Sequence, residues 1–143
     1  MSFLYNCKLM RGVKKLNNKI KCLLVEPYEL PKEIKIENTL EKKQKLVGGY
    51  IECTYLPNDP EVVIICNEEG KINGMKLNRY IGHDIIAGPF LIVGDDYENG
   101  DFKSLTDEQI LKYKMKFDKN SIVLTENKIN EILLKKQIRD YER

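Results

Sequence analysis

Residues 50–66 read YIECTYLPNDPEVVIIC and contain the clearest structural signal in the chain. Over residues 50–56 apolar and polar side chains alternate, which is typical of a strand with one buried face. Residues 57–60 supply proline, asparagine and aspartate, which are turn-forming residues. Residues 62–66 are apolar and mostly β-branched, which favours a strand buried on both faces. Because the connection has the length of a hairpin turn, we predict that the two strands pair antiparallel.

The residues before this hairpin predict two more strands and a helix. Residues 20–26 are nearly all apolar, which suits a buried strand. Residues 33–37 alternate strictly and predict a half-exposed strand that returns beside it. Asn38 has a glutamate three residues later, which is the spacing of a capping box. We therefore predict a helix over residues 39–47 that begins after Asn38 and ends at Gly48.

The residues after the hairpin predict a crossover, a strand and an acidic loop. Residues 67–88 have no clear hydrophobic period and predict an irregular crossover, although Asn73-Gly74 is the pair that a type I′ hairpin turn favours. Residues 90–93 predict another buried strand. The acidic residues of the following loop are Asp95, Asp96, Glu98 and Asp101. Because the spacing of an EF-hand is absent, we interpret this loop as solvated rather than as a divalent-ion site.

A helix over residues 106–117 has the clearest start in the chain. Thr106 can cap it, Gln109 stands at the capping-box position, and Leu105 can pack on Ile110. The order of elements is strand, strand, helix, strand, strand, crossover, strand and helix. We therefore predict the α+β class, with a mostly antiparallel sheet of about five strands. The first four strands and their helix also fit a β-grasp-like arrangement.

The two ends of the chain predict flanking helices on a single domain. Residues 1–20 contain five basic and no acidic residues, and apolar residues recur there at helical spacing as far as Ile20. Such a helix binds a membrane surface or an acidic partner, or packs on its own domain. Residues 126–141 predict a last helix whose apolar stripe is covered by its own core or by a second copy, which would give a homo-oligomer. The predicted α+β core is then residues 21–117, and residues 118–143 form a helical extension.

The composition excludes several classes of protein. The 24 basic and 22 acidic residues give a formal net charge of +2, which offers no support for nucleic-acid binding. No apolar run approaches the roughly 18 residues of a membrane span. The four cysteines lack C-x-x-C spacing and no signal peptide is evident, so we predict reduced thiols, no metal or cofactor, and a cytoplasmic location. The small net charge hides a polarised chain, since residues 95–108 carry six acidic residues and one lysine.

Several short motifs follow one another between residues 21 and 117. They are LVEP (24–27), LVGGYIE (46–52), ICNEEGK (65–71), NG (73–74), LNR (77–79), DIIAG (84–88), FLIVG (90–94), Phe102 and SLTDE (104–108). In these motifs the chain resembles an uncharacterised family, the domain of unknown function 3846. The resemblance implies an accessory protein of a mobile element, since such domains occur on phages, plasmids and conjugative elements of Gram-positive bacteria. It implies no catalytic activity.

The irregular crossover contains the residues that we nominate as a binding site. Arg79 is the sole arginine of the family-like region, and with neighbouring asparagine amides it can grip a phosphate or a carboxylate. The alternative is a crossover whose polar side chains satisfy its own backbone. The nominated residues are Asn67, Asn78, Arg79, His83 and Asp84.

No catalytic constellation accompanies these residues. His83 and Asp84 are adjacent, and neighbouring side chains point in opposite directions on an extended chain. The sequence also lacks the glycine-rich motifs that bind phosphate and the G-x-S-x-G motif of a nucleophile elbow. We therefore predict a non-enzymatic accessory protein that binds a protein, with counter-defence as a role that the resemblance makes plausible. The alternative is a module that binds or sequesters a nucleotide or another small phosphate-bearing ligand. An enzyme ranks last, because a base and a nucleophile are lacking.

Overall fold

The computed structural model describes residues 18–123, together with residues 130, 133–135 and 137–138. Residues 18–123 form eight β-strands, two α-helices and one short 3-10 helix, so the predicted α+β class is confirmed. In chain order the elements are β1 (Lys19–Val25), β2 (Lys32–Glu37), α1 (Leu40–Val47), β3 (Ile51–Leu56), β4 (Asp59–Asn67), β5 (Leu77–Ile81), β6 (Asp84–Ala87), β7 (Phe90–Asp96), β8 (Asp101–Lys103), α2 (Asp107–Lys116) and the 3-10 helix Lys119–Ser121.

Six of the strands form one sheet in the order β2-β1-β7-β4-β3, with β8 paired to β7. Every pair is antiparallel, which confirms the predicted pairing. The hairpin predicted from residues 50–66 is β3–β4, with Tyr55 opposite Val63. The sheet has one strand more than the predicted five because residues 101–103 pair with β7 instead of forming a loop. The outer strands are β2 and β3.

Both faces of the sheet are covered, so neighbouring residues of its central strands belong to two different cores. On one face Ile64 of β4 packs in a cluster with Tyr113 of α2 and Ile81 of β5. On the other face Ile65 packs in a cluster with Val47 of α1. Burial on both faces explains the unbroken apolar run of residues 62–66. The three cysteines in the described residues are buried in these cores, as predicted: Cys22, Cys53 and Cys66.

The ends of the two helices show where local signals hold and where they fail. The predicted capping box of α2 is confirmed, since Thr106 and Gln109 exchange hydrogen bonds of 3.1 and 2.9 Å. The predicted cap of α1 is wrong by one residue, because Thr39 caps this helix and the Asn38 side chain bonds elsewhere. The predicted end at Gly48 is confirmed, and Gly48 adopts the left-handed φ of 83° that a helix end favours.

The crossover of residues 67–88 is more regular than predicted. The Asn73-Gly74 pair does not form a hairpin turn, since these residues belong to a run of turns between two different sheets. The hairpin is instead β5–β6, with Ile81 opposite Asp84 and Gly82-His83 at its tip. Gly82 has a φ of 61°, the positive value required at the first central residue of a type II′ turn. The sequence signal for this hairpin turn is therefore the pair Gly82-His83, with glycine at the first central position.

The predicted terminal helices lie mostly outside the described residues. Residues 1–17, including Cys7, are outside them, and Ile20 belongs to β1 rather than to a helix. The six described residues of the helix predicted over 126–141 are helical. Within the described chain no helix is long and apolar enough to cross a membrane. Three apolar side chains of the C-terminal segment have more than half of their surface exposed: Leu133, Leu134 and Ile138.

Candidate functional site

Arg79, on which the ligand hypothesis depends, is fully buried, with 0% of its surface exposed. Burial lowers the pKa of its guanidinium, and the nearby Asp118 carboxylate acts in the opposite direction. Because the side chain is buried, the guanidinium forms its hydrogen bonds within the chain and does not face solvent. Its three nitrogens donate hydrogen bonds of 2.5–3.1 Å to four oxygen atoms: Asn78 Oδ1, Glu29 O, Phe117 O and Ser121 Oγ.

Asn78 extends the same network, which we name the clamp. Its Nδ2 donates hydrogen bonds of 2.9 Å to the backbone oxygens of Val25 and Gly88. Its backbone oxygen accepts a hydrogen bond of 3.0 Å from the Val123 N–H. The clamp thus ties the β5–β6 hairpin to the end of β1, to the end of α2 and to the segment after α2. For these two residues the structure shows polar side chains that satisfy the chain's own backbone.

The other three nominated residues lie apart from the clamp. The Asn67 side chain also bonds within the chain, since it donates to the Val47 oxygen and accepts the Glu69 N–H. His83 and Asp84 are exposed at the tip of the β5–β6 hairpin, where Asp84 forms a salt bridge with Lys71. The five residues therefore do not form one site. Asn78 contacts Arg79, Asn67 and Asp84 line a common cleft, and His83 is outside both groups.

That cleft has a volume of about 310 Å³ and lies between the β3–β4 strands and the β5–β6 hairpin; we name it the hairpin cleft. Burial raises the pKa of the Cys66 thiol in its lining to about 12, and the charges of Glu52 and Asp84 act in the same direction. The thiol is therefore protonated and unreactive at neutral pH. The apolar side chains of the lining include Ile72, Ile81, Ile85, Ile86 and Ala87. The charged ones are Glu52, Glu68, Asp84 and Lys71.

A second cleft, of about 780 Å³, lies at the ends of β3 and β7 beside the start of α2; we name it the acidic cleft. Tyr97 lines it and has 84% of its surface exposed. The Tyr55 hydroxyl donates a hydrogen bond of 2.8 Å to Asp95 Oδ2 and so joins β3 to the end of β7. Burial raises the pKa of Tyr55 to about 12, and this hydrogen bond adds to the rise. The acidic lining residues are Glu61, Asp95, Asp96 and Glu98, and the basic one is Lys103.

Residues 20–118 match the family model described as Domain of unknown function (DUF3846). The chain belongs to the DUF3846 family. The match covers more than two thirds of the chain and confirms the resemblance found in the sequence motifs. No curated protein and no solved structure matches the chain. Because the family description states no activity, the function has to be inferred from the geometry of the DUF3846 domain itself.

The clamp extends beyond the matched part of the DUF3846 domain. Ser121 accepts a hydrogen bond from Arg79, and Ile122 forms an antiparallel bridge with the Arg79 backbone. Val123 is buried and bonded to Asn78. The first residues of the predicted C-terminal extension therefore pack on the domain, where Ile122 forms an isolated β-bridge with β5.

The DUF3846 domain also contains a buried polar network that the sequence reasoning missed. Lys43 of α1 has 1% of its surface exposed, and its Nζ donates a hydrogen bond of 2.5 Å to Asn38 Oδ1. Asn38 Nδ2 donates in turn to Asp101 Oδ1 of β8 at 3.1 Å. Burial lowers the pKa of the Lys43 ammonium to about 8, although the Asp101 charge acts in the opposite direction. The network thus joins α1 to β8 through a buried cation.

This network corrects the prediction of a solvated acidic loop. Asp95 and Asp101 are buried and bonded, so only the middle of the loop faces solvent. The spacing of Leu40, Lys43 and Val47 was the available signal, since it places the lysine on the apolar face of the helix. Among the residues that the structure describes, no three His, Cys, Asp or Glu side chains are placed to hold a metal ion.

Proposed function

We propose that this DUF3846 protein is a non-enzymatic accessory protein of a phage or other mobile element, and that it acts in the cytoplasm by binding a protein with a basic surface. The geometry of the acidic cleft supports the binding role. The mobile-element origin rests on the family resemblance. A counter-defence role against host immunity belongs to the same proposal and also rests on that resemblance.

The exposed side chain of Tyr97 is the observation that carries the proposal. It stands beside Glu98 in a cleft whose lining also includes the carboxylate of Glu61. Exposed aromatic rings bind cations through their faces, and tyrosine is enriched among the residues that dominate protein interfaces. The hydrogen bond from Tyr55 to Asp95 anchors the loop to the sheet, so that rigid strand ends present it. A lysine- or arginine-rich protein surface complements this arrangement.

A photo-crosslinking amino acid in place of Tyr97, in the full chain, tests the proposal in a lysate of a Gram-positive host. The matched control carries the same amino acid in place of Tyr80, which is exposed on β5. We expect one host protein to be captured from position 97 and not from position 80. Capture of the same proteins from both positions, or no capture from position 97, would overturn the proposal.

Charge reversal then shows whether the captured protein recognises the acidic cleft. The double variant Glu61→Lys/Glu98→Lys is expected to lose the crosslink, because it places two positive charges where the proposal requires negative ones. The control Glu33→Lys/Glu37→Lys makes the same change in net charge on β2 and is expected to retain the crosslink. Equal crosslinking by both double variants would contradict recognition through the acidic cleft.

Three other predictions stay untested. A nucleotide or other phosphate-bearing ligand would have to break the clamp, since the Arg79 and Asn78 side chains bond within the chain. A homo-oligomer through the helix predicted over 126–141 is compatible with the exposed apolar side chains found there. A β-grasp-like arrangement of the first strands also stays a prediction.

A further inference from the structure

The hairpin cleft has an apolar floor that is continuous with one of the two cores. Cys66, Ile81 and Ile86 line the cleft and also belong to the core cluster that contains Tyr113 of α2. The Cys66 thiol has 8% of its surface exposed and forms no hydrogen bond among the described residues. Part of this core therefore opens into a cavity of about 310 Å³, which is near the lower end of the range for small-molecule sites.

Two sets of contacts fix the turn that forms one wall of the cleft. The Asn67 side chain donates a hydrogen bond of 3.1 Å to the Val47 oxygen and accepts one of 2.8 Å from the Glu69 N–H. Gly70 lies so close to β6 that a Cβ atom there would stand 2.4 Å from the Ala87 oxygen. The wall is therefore positioned by the chain itself, and a ligand would not have to order it.

Two carboxylates stand at diagonal positions on one face of the β3–β4 pair. Glu52 lies opposite Cys66, and the Glu68 N–H donates a hydrogen bond of 2.9 Å to the Tyr50 oxygen, which continues the pairing one step beyond β4. Diagonal residues of such a pair are about 7–8 Å apart. Glu52 and Glu68 both line the cleft and are exposed, and within residues 18–123 neither forms a salt bridge.

The other two charged residues of the lining neutralise each other, since Lys71 forms a salt bridge with Asp84. The charge that remains in the cleft is therefore negative. It acts as far as the floor, because burial is the main cause of the raised pKa of the Cys66 thiol and the charge of Glu52 adds to the rise. A complementary ligand has an apolar part for the floor and a positive charge for the two carboxylates.

We infer that the hairpin cleft binds a small organic cation, whose short apolar chain fills the cavity and whose ammonium or guanidinium group lies between Glu52 and Glu68. The chain would extend the apolar core, and the cation would form charge-assisted hydrogen bonds with the carboxylates. Because the cavity is small, a free molecule fits it better than a side chain that carries a polypeptide backbone. The hairpin cleft shares no lining residue with the acidic cleft, so this site is additional to the proposed protein-binding surface.

An NMR titration of the full chain, labelled at its isoleucine methyl groups, tests the inference with hexylamine as the probe. We expect the signals of Ile81 and Ile86 to shift, while those of Ile20 and Ile36 in the other core stay unchanged. Affinity should rise about fourfold for each methylene added from propylamine to hexylamine. The neutral 1-hexanol and the anionic hexanoate should bind at least about tenfold more weakly than hexylamine. Equal binding of hexylamine and 1-hexanol, or no shift of Ile81 and Ile86, would overturn the inference.

Removal of the two carboxylates tests their part in the site. Glu52→Gln/Glu68→Gln should bind hexylamine at least about tenfold more weakly than the wild type. The control Glu33→Gln/Glu37→Gln makes the same change in net charge on β2 and should bind like the wild type. Equal affinities of the two double variants would overturn the placement of the cation.

A capped Gly-Lys-Gly peptide distinguishes a free cation from a side chain of a protein. It presents the same ammonium group on a polypeptide backbone, and we expect it to bind more weakly than hexylamine. Tighter binding of the peptide would overturn the assignment of the cleft to a free small molecule.

Discussion

The clamp and the outer strand β3 both contain polar side chains, but they use them in opposite ways. In the clamp, Arg79 and Asn78 are completely buried and bond to carbonyl oxygens from distant parts of the chain. On β3, Glu52 is exposed on the rim of an open cleft. The guanidinium of Arg79 is thus bonded within the chain, while the carboxylate of Glu52 is exposed at an open cleft.

This difference shows that residue type alone does not identify a binding residue. A guanidinium whose donors are bonded within the chain stabilises the fold, whereas a carboxylate at an open cleft is accessible to another molecule. Substitutions should therefore separate the two regions. Changes in the clamp should lower the free energy of unfolding, and a change at the exposed Glu52 should leave it constant.

The largest effect is expected from Arg79→Ala. Loss of the guanidinium leaves Asn78 Oδ1 and the carbonyl oxygens of Glu29 and Phe117 without these donors, and each buried group left unpaired costs about 1–3 kcal/mol. We expect the free energy of unfolding, measured by urea denaturation, to fall by about 3–5 kcal/mol. Arg79→Lys keeps the charge but lacks the planar fork, so it should recover only part of the loss. A change below about 1 kcal/mol in Arg79→Ala would contradict the structural role of the clamp.

Lys43→Met should have a smaller effect in the same direction. Methionine fills a similar volume but leaves Asn38 Oδ1 without the lysine donor, and a buried acceptor without a partner costs about 1–3 kcal/mol. Removal of the buried charge offsets part of this cost. Urea denaturation near neutral pH checks the difference. The exposed Lys45→Met, at the end of the same helix, serves as the control and should change stability by less than about 0.5 kcal/mol.

The difference between the wild type and Lys43→Met should also depend on pH. Burial lowers the pKa of Lys43 from 10.5 to about 8, so the unfolded chain binds more protons than the folded chain between these values. Stability linked to Lys43 should therefore rise as the pH increases through this window. The raised thiol pKa of Cys66 acts in the opposite direction above pH 9, but it does not involve Lys43 and is common to both proteins. A difference in unfolding free energy that stays constant from pH 7 to pH 10 would contradict the buried cation.

The smallest effect on stability is expected on β3. Glu52→Lys changes an exposed side chain outside the two cores, so its unfolding free energy should stay within about 0.5 kcal/mol of the wild-type value. Glu33→Lys on β2 is the matched control, and thermal melting of both variants provides the measurement. A large loss in Glu52→Lys alone would place Glu52 among the structural residues and remove the contrast with the clamp.

Features that depend on neighbouring residues were predictable from the sequence, and features that depend on distant contacts were not. The capping box of α2 and the glycine end of α1 are local, and both were predicted correctly. The Asn38 cap failed because its amide bonds to Asp101, which lies 63 residues later. Arg79 was nominated as a ligand residue because it is the sole arginine of the family-like region. Its partners Glu29 and Phe117 lie 50 and 38 residues away, so no local pattern shows that its donors are engaged.

The charged and aromatic residues of the exposed surfaces are visible in the sequence, but their positions in the fold depend on the strand order. The single charge of β3 is visible in the residues Ile51–Leu56. That β3 is an outer strand follows from the order β2-β1-β7-β4-β3, which no local pattern specifies. In the same way, Tyr97 lies in a loop that was recognised as acidic, but its cleft forms only when the ends of β3 and β7 and the start of α2 come together.

The most direct test of the central claim is the affinity of the protein captured at Tyr97 for two variants with equal changes in net charge. Glu61→Lys/Glu98→Lys alters the acidic cleft, and Glu33→Lys/Glu37→Lys alters β2. We predict that the first variant binds at least about tenfold more weakly than the wild type, a difference of about 1.4 kcal/mol, and that the second binds equally well. Equal affinities of the two variants, at equal melting temperatures, would contradict the claim that this protein binds a basic partner through its acidic cleft.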